Sequence, residues 1–319
     1  MSVSVIIPSF NHATFLRERL ESISSQTLKY FECIVLDDCS IDNSQDIIQE
    51  FLKTDNRFSS LYNQSNSGST FLQWNKGVSQ AKGEYIWIAE SDDMADPYLL
   101  QTLVERLDSD PGIVLAYSQS NRMSIQGELT GSWLDYTSDL DPDGLFETDF
   151  VMDGKEYINR FLIHRNTIPN ASAVVFRKSI YSKIGGAPEE LKNNGDWLTW
   201  LKMLCYGDIA YVAQPLNYFR YHDTSVIARI SQQTIKGVYK EQYDYRIRKV
   251  FSDFIKKNNI SFASILQRNN AKYISWDIGN MGLFYLKEGH LIKGWKLILQ
   301  ASVYPIFQTG FIKRAIGIK

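Results

Sequence analysis

Cysteine is scarce in this 319-residue chain. Cys33, Cys39 and Cys205 are odd in number and lack the paired spacing of a zinc or dithiol site. Reduced thiols in a cytosolic setting are the expectation, packed in an apolar run at Cys33 and in a helix-like segment at Cys205. No run approaches the about eighteen uninterrupted apolar residues of a spanning helix. A strand-like run starts at the third residue, which leaves no room for a basic and then apolar targeting leader. Any membrane contact is therefore expected to be peripheral. An excess of one charge is also missing: 34 Lys plus Arg face 36 Asp plus Glu, a formal charge of -2. Without a basic field there is no case for a nucleic-acid partner. The Gly-x-Gly-x-x-Gly turn and the Gly-Lys-Ser/Thr loop are absent too, which removes the main support for nicotinamide and ATPase chemistry.

What is present is a set of short apolar runs that end in polar residues. Tyr85-Ile86-Trp87-Ile88 runs into Glu90-Ser91-Asp92-Asp93, Cys33-Ile34-Val35-Leu36 into Asp37-Asp38, and Val3-Ser4-Val5-Ile6-Ile7 into Pro8-Ser9-Phe10-Asn11. Such runs suit strands covered on both faces. In an open α/β sheet the crevice beyond the carboxyl ends of the strands receives the ligand. Adjacent carboxylates there suit a hard divalent cation that also holds phosphate oxygens.

Helical spacing separates these runs. Leu16, Leu20 and Ile23 form an apolar stripe, with Arg17, Glu18, Arg19 and Glu21 filling the other positions. Asp42 and Gln45 approximate a capping box before Ile47, Ile48, Phe51 and Leu52. A helix over 69–82 is expected to stop at Gly83. Asp96-Pro97 is expected to open a helix with Leu99, Leu100, Leu103, Val104 and Leu107 inward, before a strand at 113–117. This alternation predicts an α/β fold over 1–118, a mostly parallel Rossmann-like sheet with helices on both faces. Residues 128–156 carry nine acids and one base, Lys155, and read as a solvated loop; Trp133, Tyr136 and Phe146 leave a part in an acceptor cleft open. A strand at 171–176 and a helix at 179–184 follow, and then Asn194-Gly195-Asp196 opens a helix, Asp196 being either its cap or a functional carboxylate. From about residue 231 the chain reads as helical, with Tyr239, Tyr243, Ile247, Phe251 and Phe254 as a packing stripe. Residues 289–319 mix Lys293, Lys296, Lys313, Arg314 and Lys319 with aromatic and aliphatic side chains, a composition that motivates peripheral contact with an anionic bilayer.

Taken in order, these motifs resemble family-2 glycosyltransferases of the GT-A fold over residues 1–222. The resemblance rests on Val3 to Asn11, on Val35-Leu36-Asp37-Asp38-Cys39-Ser40, on Lys82-Gly83-Glu84-Tyr85-Ile86 leading to Ser91-Asp92-Asp93, and on Asn194-Gly195-Asp196-Trp197. It implies a nucleotide-sugar-binding half over 1–118, an acceptor and catalytic-base half over 119–222, and a helical extension over 223–319. It implies that Pro8, Phe10, Asn11 and Gly68 flank the nucleotide and that Asp38, with Asp37, hydrogen-bonds the base. Asp93 then touches Mn2+ or Mg2+, Asp92 contacts the ribose or lies beside the metal, and Asp196 is the catalytic base. Tyr218 to His222 is similar to a segment that closes over the diphosphate, so His222 reaches metal or phosphate, against the alternative of a satisfied surface histidine; Arg220 stands in the same position. The chain departs from the family pattern at Gln73-Trp74-Asn75, where no Arg is available to the diphosphate.

A single base with direct displacement predicts inversion. The expected reaction moves a sugar from a nucleotide diphosphate, uridine first, to a carbohydrate or lipid-linked acceptor in cell-envelope polysaccharide synthesis, in the cytoplasm or at the inner face of the membrane. A noncatalytic nucleotide-sugar-binding or scaffold subunit and a sugar nucleotidyltransferase are the alternatives. The second usually needs an early Gly-rich basic loop, and Ser9 to Ala13 supplies none.

Overall fold

The computed structural model describes residues 2–191, 193–222 and 239–304. They fall into two compact units. The first runs to Tyr157 and resumes over Asn166–His222; the second combines Ile158–Arg165 with the C-terminal helices.

The first unit is a sandwich of helices on one large sheet. Strand β1 (Val3–Ser9) is buried along its whole length and pairs in parallel with β2 (Phe31–Asp37) and β4 (Tyr85–Ile88); β2 pairs in parallel with β3 (Phe58–Tyr62). Beyond β4 the sheet becomes mixed. Strand β9 (Val174–Arg177) inserts antiparallel between β4 and β6 (Ile113–Met123), and β6 runs parallel to β10 (Asp208–Arg220). Short strands β5 (Met94–Ala95), β7 (Leu129–Ser132) and β8 (Phe150–Met152) complete it. The order β3-β2-β1-β4 therefore sets the carboxyl ends of β2, β1 and β4 side by side. The mostly parallel sheet expected from the alternation holds for this half, while β9, a strand that arrives late in the chain, breaks it at the centre.

Helices cover both faces. Helix α1 (Ala13–Ser24) buries Leu16, Leu20 and Ile23 in a core with Val3, Val5, Val35 and Trp87, as the stripe predicts. Arg19, by spacing a solvent-side residue, is fully buried instead. Helix α2 (Ser44–Leu52) has Asn43 at its N-cap, and the expected capping box does not form: Asp42 accepts from Ala13 N and Ser44 N, while Gln45 donates to Asp37. Helix α3 (Thr70–Gln80) ends before Gly83, which is not a left-handed stop. At Gly83 a Cβ would lie 2.6 Å from Ser4 N, so the residue lets the entry to β4 approach the β1 backbone. Helix α4 (Leu99–Ser109) begins two residues beyond Asp96-Pro97 and buries the five predicted aliphatic positions. The acidic 128–156 segment is more ordered than a solvated loop, for it carries β7, β8 and the first residues of α5 (Gly154–Tyr157), and buries Trp133 and Phe146. Helices α6 (Lys178–Lys183) and α7 (Gly195–Met203) follow.

In the second unit, α8 (Tyr239–Lys257), α9 (Ala263–Lys287) and α10 (Leu291–Ser302) pack together, α8 burying Ile247, Phe251 and Ile255. The side chain of Tyr239 lies outside the described residues, and so do residues 305–319 of the basic aromatic segment. Arg248 Nε donates to Asp277 Oδ2 at 2.9 Å and Nη2 to the His164 carbonyl at 3.0 Å, tying Ile158–Arg165 to this bundle. No helix of the described residues is long and apolar enough to cross a membrane.

Gly83→Ala is expected to destabilise the first unit by about 1–3 kcal/mol, the usual cost of overpacking against backbone that cannot retreat. A urea unfolding midpoint equal to that of the parent would show that β1 and the β4 entry have room to part.

Candidate active site

The three polar strand ends meet as the sheet order requires. At the end of β1, Ser9 O accepts from Asp38 N at 2.8 Å, and Asn11, in the left-handed region at φ 54°, accepts Ile41 N on its side chain and donates its own N–H to Ser40 Oγ. Asn11 and Phe10 are exposed beside this loop, whereas Pro8 stays inside β1. Asp37 is fully buried; its Oδ2 accepts from Ser40 N and Gln45 Nε2, and its Oδ1 has no partner among the described residues. Asp38 is surrounded by donors: Asn63 Nδ2 at 2.6 Å, Ser67 N at 2.9 Å, Ser67 Oγ at 2.7 Å and Gln73 Nε2 at 3.0 Å. These bonds shape the loop at Gly68, which takes φ 72° and is exposed. Of the two acids expected to meet a base, Asp38 thus organises the loop, and Asp37 keeps a free acceptor.

At the end of β4 three carboxylates are packed into one turn. Burial and the neighbouring Asp92 raise Glu90 to about 8, and Trp74 Nε1 donates to its Oε1 at 2.9 Å. Asp93, pushed to about 7 by burial and by Asp92, accepts Arg220 N on Oδ1 at 3.0 Å and a bond from Ser172. Asp92 moves the other way: burial works to raise it, but the hydrogen bond from His222 and the charges of His12 and His222 carry it below its ordinary value. His222 Nε2 lies 2.9 Å from Asp92 Oδ2. His12 Nδ1 lies 2.7 Å from Ser91 Oγ, and the His12 and His222 rings are 5.6 Å apart.

His12, Asp92 and His222 present ligand atoms that all lie within 4.8 Å of one another. Two imidazoles and a carboxylate form a donor set fit for a divalent transition cation. The carboxylate beside the imidazoles is Asp92, where the sequence reading put Asp93 on the metal and Asp92 at its side. The His222 side chain is 1% exposed, so it is no surface histidine. His12 is the residue that sequence reasoning missed, although it directly follows the Pro8 to Asn11 strand end that was singled out.

Two buried arginines offset the acids. Arg19 Nε donates to the Glu90 carbonyl at 2.8 Å, its guanidinium lies 5.2 Å from the Trp87 ring, and neither Nη has a hydrogen-bond partner among the described residues. Arg220 Nε donates to the Asp92 carbonyl at 2.9 Å, and its Nη2 pairs with Glu18 at 2.5 Å. Arg220 thus holds the turn's backbone through a fixed fork.

Asp196 lies in the first turn of α7, after Asn194 at φ 55°, so it is not the N-cap. Its Oδ2 accepts from Asn166 Nδ2 at 2.8 Å. Burial raises it to about 6, against the N–H of Trp197 and the Asn166 amide. A carboxylate of that strength is matched to taking a proton near neutral pH.

Helix α3 joins the three acidic places. Gln73 donates to Asp38 and Trp74 to Glu90, while the ring of Phe71 lies where a Cβ on Gly195 would stand, 2.6 Å from its Cε2. The segment 166–172 makes a second link, since Asn166 binds Asp196 and Ser172 Oγ accepts Glu90 N at 3.1 Å. Trp74 and Asn166 therefore belong to the site's frame; Trp74 stands where the chain departs from the family pattern, and Asn166 carried no signal in the sequence.

The family model described as glycosyl transferase family 2 matches residues 4–185, more than half of the chain, and the chain belongs to that family. It is 39% identical over 114 residues to glycosyltransferase GlyG of Streptococcus pneumoniae, which covers 35% of this chain and 38% of that protein. It is 34% identical over 104 residues to the GalNAc(5)-diNAcBac-PP-undecaprenol beta-1,3-glucosyltransferase of Campylobacter jejuni, which covers 33% of this chain and 34% of that protein. The chain thus spans little more than a third of the length of these two relatives. Among solved structures, S. aureus TarS 1-349 in complex with UDP-GlcNAc is similar with a TM-score of 0.67 at 18% identity, covering 100% of this chain and 84% of the other, a likeness of fold.

The raised Asp196 predicts a stability effect with a definite sign. Its folded value, about 6, exceeds the ordinary 3.8, so the stability tied to its protonated form is complete below 3.8, largely present at pH 4 and lost as pH rises through 6. Asp196→Asn is expected to unfold later than the parent at pH 8, by about 1–3 kcal/mol, with the gap closing at pH 4. Thermal melts at the two pH values test this, and an equal gap at both would detach the effect from ionisation.

Proposed function

We propose that this protein transfers a sugar from a nucleotide diphosphate sugar, with UDP as the first candidate, to a glycan or lipid-linked acceptor, inverting the anomeric centre. The observation that carries this reading is one frame, α3 with the 166–172 segment, tying together a half-buried carboxylate raised to about 6, the Glu90 to Asp93 turn whose Asp92 joins two imidazoles in a donor set fit for a cation, and the Asp37 to Ser40 loop. Membership of the family and the TarS fold support it, and the undecaprenol-linked substrate named for the Campylobacter relative supports a lipid-linked acceptor in envelope polysaccharide assembly. A cytoplasmic location, at the membrane's inner face, goes with that reading.

Asp196 takes the proton as the acceptor hydroxyl oxygen forms its bond to the anomeric carbon, and the bond from that carbon to the diphosphate breaks with its electron pair leaving on phosphate oxygen. Attack opposite the leaving group inverts the carbon, and no second carboxylate is needed as nucleophile. His12, Asp92 and His222 would hold a divalent cation, Mn2+ or Mg2+, and Asp93 supports the turn from behind. Bound there, that cation supplies Lewis-acid stabilisation of the charge on the departing diphosphate. The exposed loop residues Phe10, Asn11 and Gly68 receive the nucleoside, with the buried Asp37 and Pro8 beneath them.

The deciding experiment measures UDP binding and sugar transfer from a panel of nucleotide sugars, with Mn2+ varied, in the parent, Asp92→Ala, His12→Ala and Asp196→Asn. Asp196→Asn is expected to bind UDP as the parent does and to lose about 10²–10⁴-fold in transfer. Asp92→Ala and His12→Ala are expected to need about tenfold more Mn2+ or beyond for half-maximal UDP binding. Transfer by Asp196→Asn at the parent rate would remove that residue as the base. In the parent, kcat/KM is expected to fall as pH drops through about 6, because the base must be ionised. A flat profile between pH 5 and 8 would exclude a base of that strength.

A further inference from the structure

Beside the site lies a second cluster that the reaction just described does not use. Trp133 packs edge-on to Tyr136 at 5.2 Å and to Phe219 at 5.5 Å, and it stacks with Tyr221 at 6.2 Å. The Arg122 guanidinium lies 4.7 Å from the Trp133 ring. Tyr221, 39% exposed, opens the cluster to solvent.

Two features mark this as a place that awaits a ligand. Trp133 Nε1 and Arg122 Nε are buried donors with no acceptor among the described residues. Such a group left without a partner costs about 1–3 kcal/mol, so a folded chain keeps it where something else supplies the oxygen. Arg122 also makes no ion pair among the described residues, although acids outnumber bases in the 128–156 segment that carries Trp133. A guanidinium resting over an aromatic ring keeps its N–H fork for a two-pronged bond to carboxylate or phosphate. The exposed aromatic edge offers an apolar face to the C–H side of a sugar ring.

Strand alternation places the cluster on one side of the sheet. Along β10, Arg220 turns toward α1 and its Glu18, so Asn217, Phe219 and Tyr221 turn to the other face. On that face Asn217 Nδ2 donates to Asn170 Oδ1 at 2.9 Å, within the 166–172 segment whose Asn166 holds Asp196. The platform thus shares its face with the docking of the 166–172 segment, whose Asn166 holds Asp196, and its Tyr221 adjoins His222 in the chain.

We propose that Arg122, Trp133 and Tyr221 form an acceptor subsite for a sugar unit that carries an anionic group, either a carboxylate or a phosphate ester. The inference rests on the glycosyltransferase reading of the neighbouring site, and it names the acceptor's charge.

The test uses the full chain with its donor site saturated by UDP and Mg2+, and UDP affinity is measured first by calorimetry. Methyl β-glucuronide, glucose 1-phosphate and methyl β-glucoside are then compared by saturation-transfer NMR. At least one anionic probe is expected to bind about tenfold tighter than the neutral glucoside. Preference for the glucuronide names a carboxylate, and preference for the phosphate names a phosphate ester. In Arg122→Gln that advantage is expected to vanish while UDP affinity stays that of the parent. Equal binding of all three probes by the parent overturns the subsite, and so does an unchanged advantage in Arg122→Gln. Failure of the parent to bind UDP speaks against the donor-site reading, an outcome separate from either of these.

Discussion

The structure turns on the cost of drawing three carboxylates, Asp93 buried and Glu90 and Asp92 half-buried, into the single turn Glu90 to Asp93. Charges removed from water must be paired, protonated or coordinated. The first two of those outcomes are visible here. Asp92 keeps its charge through His222 and His12, while Asp93 and Glu90 are shifted toward the protonated form at neutral pH. Arg19 and Arg220, both buried, grip the carbonyls of the same turn from opposite ends of the first unit's sequence. Without those two guanidinium groups the turn would be a cluster of like charges in an apolar setting. With them, it is a preformed turn that sets Asp92 beside two imidazoles.

The same constraint explains why α3 is so central. Its residues 71, 73 and 74 reach the Asp196 turn, Asp38 and Glu90, so one rigid element sets the spacing of three acidic places supplied by distant parts of the chain. Gly77 lets this helix press on β1, since a Cβ there would lie 2.3 Å from Ile6 Cγ2. Close packing of that kind fixes side-chain positions better than a loop does, which is what a site with two reacting partners requires.

Much of the parallel half was legible, because an apolar run buried on both faces and a helical stripe announce themselves by period. The aliphatic positions of α4 and the α1 stripe went where spacing put them. Local signals at element ends were less dependable. The Asp42 to Gln45 capping pattern was diverted, Gln45 toward Asp37 and Asp42 toward Ala13, and Gly83 served a close approach between strands and not a helix stop. Arg19 read as a surface residue because its partners, Glu90 and Trp87, lie seventy residues away along the chain. The expected roles of Asp92 and Asp93 separate for a similar reason: neighbours in sequence, they point to different partners, and only the end of β10 decides which one meets His222.

By itself, then, the sequence determined which segments are strands and helices in the first half, that acids gather at the strand ends, and to which family the order of motifs points, since these depend on period and on local residue type. Tertiary structure alone decided that β9 divides the parallel sheet, that His12 joins Asp92 and His222, that Asp38 is engaged by its own loop, and that Asp196 is raised to about 6. Those outcomes depend on burial and on contacts between residues far apart in the chain, which no local pattern encodes.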